Sequence, residues 1–369
     1  MTHPTPPSRR RKIRRRILAW TGGALGLILT IGIGGYLFQL GRNPATRTAD
    51  GSYSHITTDT SFAHIAGLPA FSDYKSLMTP LADDWSGVVA GPLSMSRVLS
   101  YYGQTWEPQT IADGINFVVD EANQHEQLYF PLYKQEEIQA DTSKRDAGML
   151  FFPGDPGAPV AVVMPGGGWQ TLAAVQEGFP HAQRLHDAGY NVFVLRYRVT
   201  PTPAKDDAEQ AIRAQKAGLD VVRAMELIRD NETRWKVNLS NYSMWGSSAG
   251  GMLALQWASN LPVGAQPNGF PPPQATVLAY PATHTWPGVT AGSGPTFAIT
   301  AADDPLIPVE HVDAVMDELR RAGVAVQYER VSTGGHGFGI GQGTPAAGWI
   351  DHAIRFWKQQ AGTTPTAAP

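Results

Sequence analysis

No cysteine occurs among the 369 residues, which removes disulfides, thiolate-held metals and cysteine nucleophiles, and leaves the redox compartment unreadable from pairing. Acidic side chains are missing from the first sixteen residues, where Arg9, Arg10, Arg11, Lys12, Arg14, Arg15 and Arg16 cluster. With those seven set aside, 22 basic residues face 32 acidic ones, so the rest of the chain has no electrostatic footprint for nucleic acid. Charge of either sign is absent from Ile17 to Phe38, "ILAWTGGALGLILTIGIGGYLF", about the 20 residues that a membrane-spanning helix needs. The expectation is a basic cytoplasmic segment over 1–16, an uncleaved signal anchor over 17–38, and everything after Gly41 on the exported side, periplasmic or extracellular. Secretion after signal cleavage is the alternative. However, the apolar run exceeds the roughly 7–15 residues usual for a signal peptide, and "GRNPATRTADG" offers no small-residue site.

No internal repeat divides the chain beyond Phe38. Residues 39–67 are polar and aperiodic and read as a tether, and 361–369 as a flexible tail. Between them 68–360 reads as one globular domain, for which 42% apolar residues supply ample core. Its first part, 68–147, is an extension of unclear role. There "LSMSRVLSYYG" has helical spacing and "EQLYFPLYK" looks extended, and neither carries a chemical motif. From Gly148 the order is regular. The apolar runs "GMLFF", "PVAVVM", "YNVFVLRY", "NYSMW", "ATVLAYP", "PTFAITA" and "VAVQYERV" are strands. Helical patterns at 177–189, 206–229, 249–260, 309–323 and 348–360 separate most of them. Such alternation predicts an α/β fold with a mostly parallel central sheet, helices on both faces, and ligands at the carboxyl ends of the strands.

Four stretches at those ends carry chemistry. Gly246, Ser248 and Gly250 in "GSSAGG" form G-x-S-x-G between a strand and a helix, a turn that lifts one hydroxyl while the glycines admit close backbone approach. Ser248 is the candidate nucleophile and Ser247 a spacer. A serine hydroxyl attacks at neutral pH only if a base takes its proton, and the base needs an acid to orient it. His336 in "GGHGFG" is the base, because the other nine histidines precede the serine or the acid, or fall in helical patterns. The acid is Asp304 in "DDPLIP", with Asp303 its competitor on the same turn. Finally, "VVMPGGGW" sets Gly166, Gly167 and Gly168 after a strand, where backbone N–H groups, with that of Ala249, meet a developing oxyanion. Neither G-x-x-x-x-G-K-[ST] nor G-x-G-x-x-G spacing occurs there, so the phosphate-cradling reading of a glycine loop loses. Taken singly, these stretches are ordinary turns and caps. Their joint order is what gives them weight.

On "PGGGW", "GSSAGG", "DDPLIP" and "GGHGFG", with "LRYR" at 195–198, the chain resembles the α/β-hydrolase superfamily over about 148–358. More narrowly it is similar to the acetylesterase, acetyl-xylan-esterase and feruloyl-esterase-like branch, near the hormone-sensitive-lipase-like esterases. One departure is Pro165, where the lipase-like relatives carry histidine; another is the region before Gly148, which matches no motif. The resemblance implies a serine carboxylic-ester hydrolase with a Ser248–Asp304–His336 triad, acting on short-chain or carbohydrate-linked acyl esters without cofactor or metal. Its partners would be that ester substrate and, through the N-terminal helix, the membrane. A serine peptidase of the same fold and a non-catalytic binding protein are the rival readings. Trp169, Tyr197 and Trp245 either line a sugar or aromatic-acyl pocket or simply pack. Oligomeric state leaves no mark in the sequence.

Overall fold

The structure, a computed structural model, describes residues 41–78, 91–101, 106–125, 127–259, 270–283, 288 and 293–362. The expected anchor at 17–38 lies outside the described residues, as does most of the expected tail. Among those described, no helix is long and apolar enough to cross a membrane.

Eight strands form one sheet: β1 (Tyr129–Pro131), β2 (Gly148–Phe152), β3 (Pro159–Met164), β4 (Asn191–Arg196), β5 (Asn238–Ser247), β6 (Ala275–Ala279), β7 (Thr296–Ala301) and β8 (Val326–Val331). Their order is β1-β2-β4-β3-β5-β6-β7-β8. From β4 through β8 neighbours run parallel, whereas β1 and β2 join antiparallel at one edge. Strands β2, β6 and β7 are buried at every position, as near-continuous apolar runs between two helical layers require, while the outer β8 is only half-buried. The sheet is therefore the mostly parallel one expected, and its antiparallel edge consists of β1, from the extension, and β2, which runs antiparallel to both β1 and β4.

The principal helices are α1 (Met95–Tyr101), α2 (Pro108–Gln124), α3 (Phe179–Asp187), α4 (Asp207–Asp230), α5 (Ser248–Ala258), α6 (Val309–Arg321) and α7 (Trp349–Gly362). In α6, Val309, Val312, Met316 and Leu319 recur at helical spacing on the buried face, with Glu310 in the first turn and Arg320 and Arg321 in the last, each complementing the helix dipole. Helix α4 starts on Asp206, whose side chain accepts from the Glu209 N–H at 2.8 Å. Helix α2, which the sequence pattern leaves unassigned, begins with proline in its first turn and buries Ile111, Ile115 and Val118.

The stretch expected to be a tether behaves differently where it is described. Ile56, Phe62 and Ile65 are buried in the common core, and two asparagines of α2 grip its backbone. The Asn116 side chain accepts from the Ile56 N–H at 2.8 Å and donates to the Ile56 carbonyl at 3.0 Å. Two helical turns further on, Asn123 does the same to Tyr53 at 2.8 and 3.1 Å. These paired amides satisfy the extended backbone as a neighbouring strand would, so residues 53–65 belong to the globular body.

A buried ion pair joins the extension to the sheet. Asp220 of α4 is fully buried and takes the Arg198 guanidinium Nε at 2.9 and 3.0 Å, the Arg198 N–H at 2.7 Å and the Tyr133 hydroxyl at 2.6 Å. Burial pushes the Asp220 carboxyl above its usual range, and Arg198 pulls it back down. Replacing Asp220 by alanine strands the arginine, so Asp220→Ala is expected to lower the unfolding free energy by about 3–5 kcal/mol in urea titration. A loss below about 1 kcal/mol would mean that the pair contributes no more than an exposed one.

Candidate active site

The site is built at the carboxyl ends of β3, β5, β7 and β8. Strand β5 ends at Ser247 and α5 begins at Ser248, whose φ of +50° lies in the left-handed region that non-glycine residues seldom enter. The bend can be this sharp because its flanking positions lack side chains. A Cβ on Gly246 would stand 2.2 Å from the Gly250 carbonyl oxygen, and one on Gly250 would stand 2.0 Å from that of Met164 at the end of β3. The elbow thus presses directly on the neighbouring strand, where Met164 is in register with Gly246.

The three side chains expected to act together are brought together. His336 Nε2 lies 2.8 Å from Ser248 Oγ, and His336 Nδ1 lies 2.8 Å from Asp304 Oδ2. The Asp304 side chain is wholly buried, and its other oxygen accepts the Leu306 and Ile307 N–H groups at 2.8 and 2.9 Å, which fixes the carboxylate plane. Asp303 faces elsewhere and accepts the Gly335 N–H at 2.8 Å, so it braces the loop that carries the histidine. That loop leaves β8 through Gly334, Gly335 and Gly337, all at positive φ, the conformational freedom needed to swing the imidazole back over the elbow. With Nδ1 donating to Asp304, Nε2 is left to accept the Ser248 proton, the arrangement a serine needs to become nucleophilic.

The glycine loop departs from expectation at one position. The Gly166 N–H donates to Glu177 Oε2 at 2.6 Å and so points away from any substrate. The N–H groups of Gly167 and Gly168 have no partner among the described residues, and that of Ala249 lies in the first turn of α5, where helical N–H groups are unpaired. The structure leaves Gly167, Gly168 and Ala249 available for an oxyanion and removes Gly166. The Tyr197 hydroxyl donates to the Pro165 carbonyl at 2.6 Å, and the Thr200 N–H to that of Trp169 at 2.9 Å, which hold the loop from the β4 side.

Trp169, Tyr197 and Trp245 are each about 1% exposed; the two tryptophans pack in the core, and Tyr197 does so while also bordering a cavity beside the glycine loop. The residues that sequence reasoning missed lie around the histidine. Trp106, from the extension, donates its indole N–H to the Gly337 carbonyl at 2.6 Å, and the buried Tyr280 ring meets the His336 imidazole edge-on at 5.2 Å between centroids. Glu177 carried one signal, a lone acid in the apolar run "LAAVQEGF". A cavity of about 940 Å³ opens between α2, α3 and residues 340–343, away from Ser248; one of about 330 Å³ borders the glycine loop at Gln170, Thr171 and Leu172. Among the described residues no three His, Asp or Glu side chains gather to hold a metal ion.

Residues 153–261, less than a third of the chain, match the BD-FAE family model. That span takes in the glycine loop and the elbow and stops short of Asp304 and His336. An acetylxylan esterase of Xylanibacter ruminicola is 26% identical over 246 residues, 55% of this chain and 48% of that protein. The chain therefore aligns with about half the length of this curated relative. An acetyl ester-xyloside bifunctional hydrolase from Caldicellulosiruptor lactoaceticus is 23% identical, over 63% of this chain and 96% of that one, with a TM-score of 0.51. Thermogutta terrifontis esterase 2 is 15% identical over 65% of this chain and 96% of its own, with a TM-score of 0.50. At these identities the two structures speak to the fold, which is the α/β-hydrolase fold. The chain is thus similar to the BD-FAE family over residues 153–261 and to an acetylxylan esterase over 246 residues, and it shares its fold with the two solved structures.

The elbow's dependence on missing side chains can be measured by itself. Gly250→Ala is expected to cost about 4 kcal/mol or more in urea titration, since backbone on both sides must shift. Gly362→Ala, where nothing lies within 4 Å of the new methyl, should stay within about 1 kcal/mol. Equal stabilities for the two variants would show that β5, α5 and β3 are not packed this tightly.

Proposed function

Taking that similarity as the premise, we propose that the chain is a serine carboxylic-ester hydrolase that acts through an acyl-enzyme on short-chain or carbohydrate-linked acyl esters. The observation that carries this reading is the unbroken relay from Asp304 Oδ2 to His336 Nδ1 and from His336 Nε2 to Ser248 Oγ, both at 2.8 Å, ending on a serine held at positive φ. The acetylxylan esterase relative supports the substrate class.

In the proposed reaction Ser248 Oγ bonds to the ester carbonyl carbon while His336 Nε2 takes its proton. The carbonyl electrons move onto oxygen, where the free N–H groups of the glycine loop and Ala249 meet the charge, aided by the positive end of the α5 dipole. Collapse breaks the bond to the alkoxy group, which leaves as the alcohol with the proton from His336. Water then attacks the acyl-enzyme, His336 takes a proton from it, and the carboxylic acid departs as that proton returns to Ser248. Asp304 holds the imidazole in the required tautomer and stabilises its cation throughout.

Ser248→Ala is expected to abolish both the hydrolysis of p-nitrophenyl acetate and covalent labelling by a fluorophosphonate, with the circular dichroism unchanged. Full activity in that variant would refute the assignment. Asp304→Asn should lower kcat by about 10⁴-fold, by analogy with the same change in a serine protease triad, whereas Asp303→Asn should leave most of the activity. The reverse ranking would move the acid role to Asp303. We further propose that residues 17–38 anchor the protein in a membrane with the enzyme on the exported side. The protein should then stay in the membrane pellet after alkaline carbonate extraction, and its release into the supernatant would dismiss the anchor.

A further inference from the structure

Behind the glycine loop sits a carboxyl group that the proposed reaction does not use. Glu177 belongs to a single wide turn, Ala174–Gly178, between that loop and α3, and it is 4% exposed. Burying a carboxyl is costly unless something compensates, yet Glu177 forms no ion pair with Lys or Arg among the described residues. Its Oε2 accepts the Gly166 N–H instead. An added Cβ on Gly166 would lie 2.7 Å from that oxygen and 2.7 Å from the Ser248 Cβ, so carboxyl, loop and nucleophile converge at one point.

From there the arrangement continues to the histidine. The Glu177 carboxyl adjoins the hydroxyl of Tyr280, which accepts the Gly339 N–H at 3.1 Å from the histidine loop. Tyr280 is fully buried at φ +38°, its N–H donates to the Ile299 carbonyl at 2.7 Å, and its ring lies against His336. Two residues on, the Ala282 N–H donates to the Ser248 carbonyl at 2.9 Å. Burial pushes the Glu177 carboxyl upward, opposed by the Gly166 N–H, by His336 and by Tyr280.

We propose that Glu177 is a positioning residue. By taking the Gly166 N–H, it sets the loop so that the following amides face the oxyanion, and through Tyr280 it keeps the histidine loop in step with the elbow. The inference rests on the esterase reading and deepens it. Nothing in it requires Glu177 to touch substrate. What it requires is an acceptor of this length at this place, because displacing a catalytic group by about 1 Å can cost 10²-fold in rate.

The test compares Glu177→Leu, which keeps bulk and removes the acceptor, with Glu177→Gln, which keeps an acceptor and removes the charge. Steady-state kinetics on p-nitrophenyl acetate are normalised to serines titrated by a fluorophosphonate, so that misfolded protein drops out of kcat. Glu177→Leu is expected to lower kcat per titrated site by about 10²-fold with KM unchanged. It should weaken a trifluoromethyl ketone, which presents an oxyanion once Ser248 adds to it, by a similar factor. Glu177→Gln should recover kcat and ketone affinity to within about tenfold of wild type. Should Glu177→Leu give no titratable protein, Glu177→Asp, shorter by one methylene, carries the same prediction. Wild-type kcat in the shortened or apolar variant, or unaltered ketone affinity beside a reduced kcat, would overturn the positioning role while leaving the esterase reading intact. A wild-type protein that neither hydrolyses the ester nor takes the probe would overturn both.

Discussion

The close approach of α5 to the end of β3 is the constraint on which the rest depends. With only hydrogen on Gly250, the Met164 carbonyl can lie where a methyl group would otherwise be, and with only hydrogen on Gly246 the bend can fold back on itself. That one contact has two consequences. The chain turns tightly enough to hold Ser248 at φ +50°, an unfavourable conformation that the surrounding packing imposes. The glycine loop, leaving β3 immediately after Met164, is delivered beside the same serine without a long connection. Ser248 and the amides of the glycine loop are thus neighbours because two adjacent parallel strands end side by side.

Around this centre the residues before β2 act as a brace. Trp106 reaches the carbonyl next to His336, Tyr133 joins the buried Asp220–Arg198 pair at the end of β4, and the asparagines of α2 gather in residues 53–56. Each of these contacts ties together segments remote in sequence, and the first two reach loops at the strands' ends. The extension has no motif of its own because backbone carbonyls and single polar side chains do this kind of work, and such contacts leave no repeating pattern.

How much of this is legible in the sequence depends on the kind of interaction. Ser248, Asp304 and His336 could be read because their chemistry demands particular residue types in a particular order, and the strands of the parallel sheet because burial on both faces makes them apolar throughout. Helix α2 goes unassigned although Ile111, Ile115 and Val118 recur at helical spacing, because the polar residues between them dilute the pattern. Ile56, Phe62 and Ile65 could not be recognised as core, since three scattered apolar residues in a polar run show no period. The direction of the Gly166 N–H is not encoded by glycine at all. It is set by Glu177, eleven residues away, whose meaning appears only once the loop folds over it.

Asp304 and His336 are carried by the loops after β7 and β8, the outermost strands on their side of the sheet, while Ser248 follows the central β5. A transient parting of the rim at β8, the half-buried strand, would carry the imidazole away from the hydroxyl while β3 and β5 stay paired. The contact between Ser248 and His336 thus depends on the margin of the sheet, whereas the pairing of β3 with β5 depends on its middle.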